Sequence, residues 1–350
     1  MRSLMLAYVS GFVAVALVAS VLLFAPFESA AAQANGDGGA VAESSVVLLD
    51  EPCLVYSSTG GDGPLAGGES RPVQVTGSLP SSQGGEADCQ VPVDAVSVVL
   101  SVGAVDAQTL GNLRVSEGGV APAGGVVNYA PNGLDNTNTI VVPLSGSGEV
   151  DVSANAGPNG VGVPSADVRV VVVGYNGPSD VSSVVTPVVP CAVSDSRSSQ
   201  GSSGDFVGPF SSVDVIPLID VAGVIPAAQG GGNADCGVPD SATGVIANVV
   251  AIGATGTGFM AAGTADATPV LHTTAFAPIG MNNAAVAWIP LDADGTINVD
   301  AVTTDGAAHL RVVVVGFIST SDDVTTGFTA VAPCAAFDSR STQGLSLIHI

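Results

Sequence analysis

One run of residues recurs in this chain at the spacing of whole domains. It begins Ser44-Ser45-Val46-Val47, reaches Pro52-Cys53 and continues to Cys89-Gln90-Val91-Pro92. It begins again at Ser182-Ser183-Val184-Val185, reaches Pro190-Cys191 and continues to Cys236-Gly237-Val238-Pro239. A third start reaches Pro333-Cys334, so the spacings are 191 − 53 = 138 and 334 − 191 = 143. A period this long belongs to tandem domains that each bury their own core, not to a solenoid of short repeats. The landmarks predict a first repeat over 44–181, a second over 182–324 and the start of a third over 325–344.

The ends of the chain read differently from its body. Arg2, the apolar stretch Gly11–Phe27 and the small-residue site Ala32-Gln33-Ala34 predict a cleaved secretory signal over 1–34. The polar, glycine-rich 35–43 is then a flexible spacer. The alternative is an uncleaved anchor, because the apolar run is almost long enough to span a bilayer. No second run of that length follows, so no membrane span is expected in the mature chain. Residues 345–350, Leu-Ser-Leu-Ile-His-Ile, break off the third repeat and coincide with the translation of a transposase-adapter sequence. They are expected to be an artefact, with the natural chain continuing past Gly344.

Within each repeat the apolar residues alternate with period two. Val96, Val98, Leu100 and Val102 point one way in Ala95–Val102, and Val245, Ala247 and Val249 do so in Ala242–Val249, which predicts half-buried strands. Asn136–Leu144 and Asn283–Leu291 each lead into a tight turn, Ser145–Gly148 or Asp292–Gly295, and a returning strand: a β-hairpin with glycine at a positive-φ position. Arg169-Val170-Val171-Val172-Val173-Gly174 and Arg311-Val312-Val313-Val314-Val315-Gly316 are continuous valine runs, which predicts strands covered on both faces. Roughly eight strands per repeat, with no helical periodicity after the signal, predict an all-β fold of tandem β-sandwiches, Ig-like or jelly-roll-like.

Five cysteines fit this division. Cys53 pairs naturally with Cys89 and Cys191 with Cys236, each pair inside one repeat, and Cys334 is left over in the broken third. Metal binding is the alternative, but the chain has no Cys-x-x-Cys or His-x-x-x-His spacing. Disulfides imply an oxidising, extracytoplasmic compartment.

The third start, Phe328-Thr329-Ala330-Val331-Ala332-Pro333-Cys334-Ala335-Ala336-Phe337-Asp338-Ser339-Arg340, resembles the opening of a repeat domain of secreted and surface proteins from actinobacteria and related bacteria. That domain opens Pro-Cys-Arg-Val-Val-Asp-Thr-Arg, continues Cys-Gly-Val-Pro and ends Val-Val-Gly-Tyr-Phe. The second repeat carries Asp195-Ser196-Arg197, Cys236-Gly237-Val238-Pro239 and Val315-Gly316-Phe317 at these places. The first departs, with Tyr56-Ser57-Ser58 read in place of Asp-Ser-Arg. The resemblance covers about 44–344 and implies a β-rich extracellular accessory or structural module, often beside catalytic domains.

Charge excludes some partners. All seven cationic side chains are arginines against 31 Asp and Glu, a net charge of −24 that removal of Arg2 and Glu28 with the signal leaves unchanged. Without a basic patch, neither nucleic acid nor an anionic membrane surface is an expected partner. Asp195 with Arg197, and Asp338 with Arg340, form either a ligand pair or a structural pair pinning the first strand; the first repeat dispenses with both. Asp292, Asp294 and Asp300 suggest calcium, but the glycine comes too early for an EF-hand loop and the aligned Ser145, Ser147 and Asp151 lack the carboxylate pair. An ordinary hairpin turn is the stronger reading, and no cofactor is expected. Trp288 offers a sugar-stacking surface, yet it aligns with Val141 inside a strand, which favours a core position. His272 and His309 have no counterparts in the first repeat. No nucleophile elbow, zinc-protease motif or phosphate loop is present. A carboxylate-pair glycosidase is disfavoured because the copies share no acid–base set.

The expected function is therefore a non-catalytic structural or interaction repeat of an exported cell-surface or secreted bacterial protein: spacer, stalk or adhesin-like array. Its expected partner is an extracellular or cell-surface polymer, glycan included. The alternative is a carbohydrate-binding accessory module of a larger secreted enzyme.

Overall fold

Valine and isoleucine at alternate positions, with glycine and proline between the runs, produce antiparallel strands throughout. The computed structural model describes residues 45–122, 125–131, 135–156, 162–177, 183–265, 271–278 and 282–320. The expected signal (1–34), spacer (35–43), third start (325–344, with Cys334, Asp338 and Arg340) and terminal residues 345–350 lie outside the described residues.

The first copy forms β1 (Ser45–Ser57), β2 (Leu65–Ala66), β3 (Ser70–Gln74), β4 (Ser97–Val105), β5 (Gly111–Glu117), β6 (Val127–Tyr129), β7 (Asn136–Pro143), β8 (Glu149–Ala156) and β9 (Pro164–Gly177). The second forms β10 (Ser183–Asp195), β11 (Ile219–Asp220), β12 (Ala242–Ile252), β13 (Gly258–Thr264), β14 (Leu271–Phe276), β15 (Asn283–Pro290), β16 (Thr296–Thr303) and β17 (His309–Thr320). The first copy's sheets run β1-β9-β4-β7, with β2 attached to β9, and β3-β8-β5-β6; the second's run β10-β17-β12-β15 and β11-β16-β13-β14. Leaving β2 aside, each copy thus pairs its first strand with its last, second with seventh, third with sixth and fourth with fifth. This is one long hairpin rolled up so that successive rungs alternate between two sheets. It is the jelly-roll order, which separates these sandwiches from the Ig-like alternative.

Each sandwich fills with its own apolar cluster. Val98, Leu100 and Val102 of β4 meet Val170 and Val172 of β9, Leu113 of β5 and Val150 and Val152 of β8. Val245, Ala247 and Val249 of β12 meet Val312 and Val314 of β17, Met260 of β13 and Val299 of β16. Each of the valine, leucine and methionine side chains among them, fully buried, contributes about 1.5–3 kcal/mol.

The expectation of half-buried strands fails for β4 and for the middle of β12, where Gly244 and Ile246 are buried beside Val245 and Ala247, and it holds along the rest of β12. Val96 is 53% exposed and precedes β4, while Ser97, Val99 and Ser101 on the supposed outer face are buried. The cover is the other copy. Val46, Val99 and Val173 pack with Ile246, Trp288 and Ile318 in a third cluster between the β1-β9-β4-β7 and β10-β17-β12-β15 sheets. The valine runs are continuous for this reason: Val170, Val172, Val312 and Val314 face a sandwich core, whereas Val171, Val173 and Val315 face the neighbouring copy. Asn283 Nδ2 donates to Asn136 Oδ1 at 3.3 Å across the same seam, and at its edge Thr137 Oγ1 donates at 2.9 Å to the carbonyl of Thr273 in β14, a strand of the second copy's other sheet. Gly244 stands where a Cβ would lie 2.5 Å from Leu48 of the first copy.

Candidate functional site

Chemistry-bearing residues gather where the first strand of each sandwich enters its sheet. In β1, Leu48 pairs with Gly174 and Cys53 with Val172, so Leu49–Pro52 bulge opposite the single residue Val173. In β10, Pro187 pairs with Gly316 and Cys191 with Val314, so Val188–Pro190 bulge opposite Val315. Pro52 and Pro190 lack the N–H that would continue the ladder, and the strand must loop out until the cysteine resumes pairing. Disulfides Cys53–Cys89 and Cys191–Cys236 fasten the resumed strand, with Cα–Cα separations of 5.5 and 5.6 Å.

A glutamine buried behind each bridge was not singled out from the sequence. Gln83 Nε2 donates to the carbonyls of Val55 and Gln74, at 2.8 and 3.1 Å, and its Oε1 accepts from Gln74 N at 2.8 Å. Gln229 repeats all three bonds with Val193 O (2.9 Å), Asp220 O (3.1 Å) and Asp220 N (2.9 Å). One amide thus bolts the first strand of one sheet to the first strand of the facing sheet, β1 to β3 and β10 to β11. The signal was legible: Pro80-Ser-Ser-Gln83-Gly84-Gly85 and Pro226-Ala-Ala-Gln229-Gly230-Gly231 both precede an Ala-Asp-Cys. Gln229 is fully buried, and each backbone group left unpaired costs about 1–3 kcal/mol. Gln229→Leu, which keeps the volume and removes the bonds, is expected to destabilise the chain by about 3 kcal/mol, a fall of roughly 6–12 °C in Tm for a unit of this size. A thermal melt shifted by less than about 2 °C would refute this role.

Serines hold the other side of the corner. Ser58 Oγ accepts from Val168 N (2.9 Å) and donates to Asp167 Oδ1 (2.6 Å). Ser196 Oγ accepts from Leu310 N (2.9 Å) and lies 3.1 Å from His309 Nδ1. His309 therefore occupies the position of Asp167. Ser196 is 1% exposed and held by the backbone, which makes it a strand clamp.

Asp195 and Arg197 are brought together, with Nε–Oδ1 at 2.8 Å and Nη2–Oδ2 at 2.7 Å, and Arg311 Nε stands 3.7 Å from Asp195 Oδ2. The alignment with the first copy needs a one-residue correction. Ser57 pairs with Arg169 as Asp195 pairs with Arg311, so Ser57-Ser58-Thr59, not Tyr56-Ser57-Ser58, replaces Asp-Ser-Arg. The first copy uses a different cation: Arg71 donates to Tyr56 Oη, to the Gly63 and Pro64 carbonyls and to Glu69. Burial raises the Asp195 pKa, but the hydrogen bonds and charge of Arg197, with Arg311 behind it, outweigh this and hold the carboxyl below its ordinary value. A depressed folded pKa contributes stability that is complete above the unfolded value of about 4 and is lost as pH falls through the folded one. Asp195→Asn is expected to cost about 1 kcal/mol at pH 7, with Arg197 partly exposed, and the gap should close in strong acid. Urea midpoints at neutral and low pH check this; a gap independent of pH would overturn it.

The suggested calcium residues do not converge. Asp292 Oδ1 accepts from Asp294 N and Thr296 N, at 3.1 and 2.9 Å, and Oδ2 accepts from Thr296 Oγ1 at 3.0 Å. Ser145 Oγ, accepting from Glu149 N at 3.0 Å, serves the equivalent turn, and Gly148 and Gly295 close the two turns at φ +77° and +71°. Asp300 lies along β16, where burial raises its pKa. Among the described residues no group of three His, Cys, Asp or Glu side chains is arranged to hold a metal. Trp288 sits in the seam between the copies, 7% exposed. His272 lies on β14.

Beside the longer bulge opens a cleft of about 1040 Å³, lined by Leu48, Asp50, Glu51, Glu86, Arg169 and Tyr175 among others. The second copy has Val188 and Val189 where Asp50 and Glu51 stand, and Asn233 for Glu86. Asp88, also on the cleft, is shared as Asp235, and each carboxylate accepts the backbone N–H two residues on, from Gln90 or Gly237, at 2.7 Å. The shared member therefore shapes the turn after each disulfide.

No protein-family model matches the chain, and no curated protein matches it. Among solved structures, it is similar to the PBSX exported protein XepA at 10% identity and a TM-score of 0.21, over 77% of this chain and 86% of that one. It is similar to the N-terminal CBM22-1–CBM22-2 tandem of Paenibacillus barcinonensis Xyn10C at 11% identity and a TM-score of 0.19, over 78% and 99%. At these scores the fold rests on the strand order itself.

Proposed function

We propose that this chain is a non-catalytic structural and interaction repeat of an exported bacterial protein, acting outside the cell as a stiff spacer or adhesive array. The observation that carries the reading is what the copies keep and what they change. Both keep the disulfide, the glutamine bolt, the serine clamp and the aspartate turn, all of which hold strands together. They differ at most of the charged residues a ligand would meet, Asp50, Glu51 and Glu86 on the cleft, Asp195 with Arg197, and Asp167 against His309, while Arg169 on the cleft is matched by Arg311. Duplicated enzymes or lectins need the same reacting or stacking groups in each working copy, whereas a mechanical repeat needs only the same frame. The two bridges suit an oxidising compartment, and among the described residues no helix is long and apolar enough to cross a membrane. A net charge of −24 favours repulsion from nucleic acid.

The test is a polysaccharide and cell-wall glycan array probed with the oxidised chain. No saturable binding is the expected result. Saturable binding to a defined sugar, lost on Tyr175→Ala, would replace this reading with the carbohydrate-binding accessory module.

A further inference from the structure

We infer that the outer face of the β1-β9-β4-β7 sheet, and of its equivalent in every copy, is a repeat-pairing surface whose occupant is another copy of the repeat. Arrays of this repeat are then built from closed face-to-face pairs, which goes beyond a spacer role and holds whatever the array touches. Both copies present the same sheet to the seam, β1-β9-β4-β7 and β10-β17-β12-β15. They also present equivalent positions. Val99 is cross-strand partner to Val141 as Ile246 is to Trp288, and all four lie in the shared cluster. Val173 and Val315, each the residue facing a bulge, lie there too. The other sheet of each copy, β3-β8-β5-β6 or β11-β16-β13-β14, contributes no side chain to the shared cluster. Pairing like face with like face therefore saturates both copies and stops, whereas a head-to-tail contact would leave a free end for the next repeat.

The first strands match as well: Val46, cross-strand partner of Asn176, and Val185, cross-strand partner of Ile318, both pack in the seam. With the faces of the first two copies occupied by each other, the matching face of a further copy is left for a fourth repeat or for a second chain.

The experiment keeps the whole chain and its native sequence on both sides of the seam. Residues 178–182 are replaced by a flexible, protease-cleavable segment of about 20 residues, long enough to leave both sheets unstrained. The folded, oxidised protein is cleaved, diluted, reconcentrated and weighed by native mass spectrometry, where the halves have distinct masses. Expected are first–second pairs together with second–second pairs; a first–first pair sets Ser97 where Gly244 makes room for Leu48 and is expected to be scarcer. Separate halves alone would overturn the proposal by showing that the seam holds only while tethered. First–second pairs alone would also overturn it, since the face would then fit one unique partner. Neither outcome bears on the glycan array, so the two proposals fail independently.

Discussion

Reducing both disulfides is expected to remove about 4 kcal/mol from each sandwich, enough to bring the chain near or past its unfolding threshold at physiological temperature. The bridges close loops of 36 and 45 residues of sequence separation, and in the chain-entropy model opening them restores that freedom to the unfolded state. The loss is also local. Cys53 and Cys191 are where each first strand returns to its ladder after the bulge, so without the bridge nothing covalent resists peeling of that strand. Calorimetry with and without reductant measures the effect, and non-reducing peptide mapping should yield the 53–89 and 191–236 linkages. A bridge between copies, or an unchanged melt after reduction, would contradict it.

Trp288→Ala is expected to uncouple the two sandwiches. Trp288 is 7% exposed and sits among Ile246, Ile318, Val99 and Val173, so its removal opens a cavity in the seam and costs about 3–5 kcal/mol. That energy belongs to the contact between the copies, not to either closed core. The intact chain should therefore melt in one transition spanning both copies, and the variant in two, with both disulfides still mapped as before. Two transitions in the intact chain would show that the seam carries no coupling. A variant that melts in one transition, lowered by the full amount, would place Trp288 in the second copy's own core.

Much of the frame was legible because it repeats. The cysteines, the hairpin glycines and the valine alternation recur in order, and each has a local meaning: a bridge, a positive φ, a strand. Gln83 and Gln229 repeated just as faithfully but stayed unread. A glutamine has no local signature, and its value here comes from two backbones that only the sandwich brings within reach of one amide. The slip of one residue at Asp195 has another source. Ser57 and Asp195 each stand four residues past their cysteine, so a count from Cys53 and Cys191 gives the same match that the register against Arg169 and Arg311 displays.

By itself, then, the sequence determined the class, the recurrence of one frame in the two described copies and the pairing of Cys53 with Cys89 and Cys191 with Cys236, because these follow from period-two burial and from the recurrence of whole phrases. The tertiary structure alone decided three things. It chose jelly roll over Ig-like order, since identical strands can be wired either way and alternation does not record which edge each strand joins. It turned half-buried strands into doubly buried ones, since a row of valines, serines and alanines is compatible with water until a second sheet excludes it. And it placed Trp288 between the copies, because whether an aromatic faces ligand, core or neighbour is set by what lies opposite it in space.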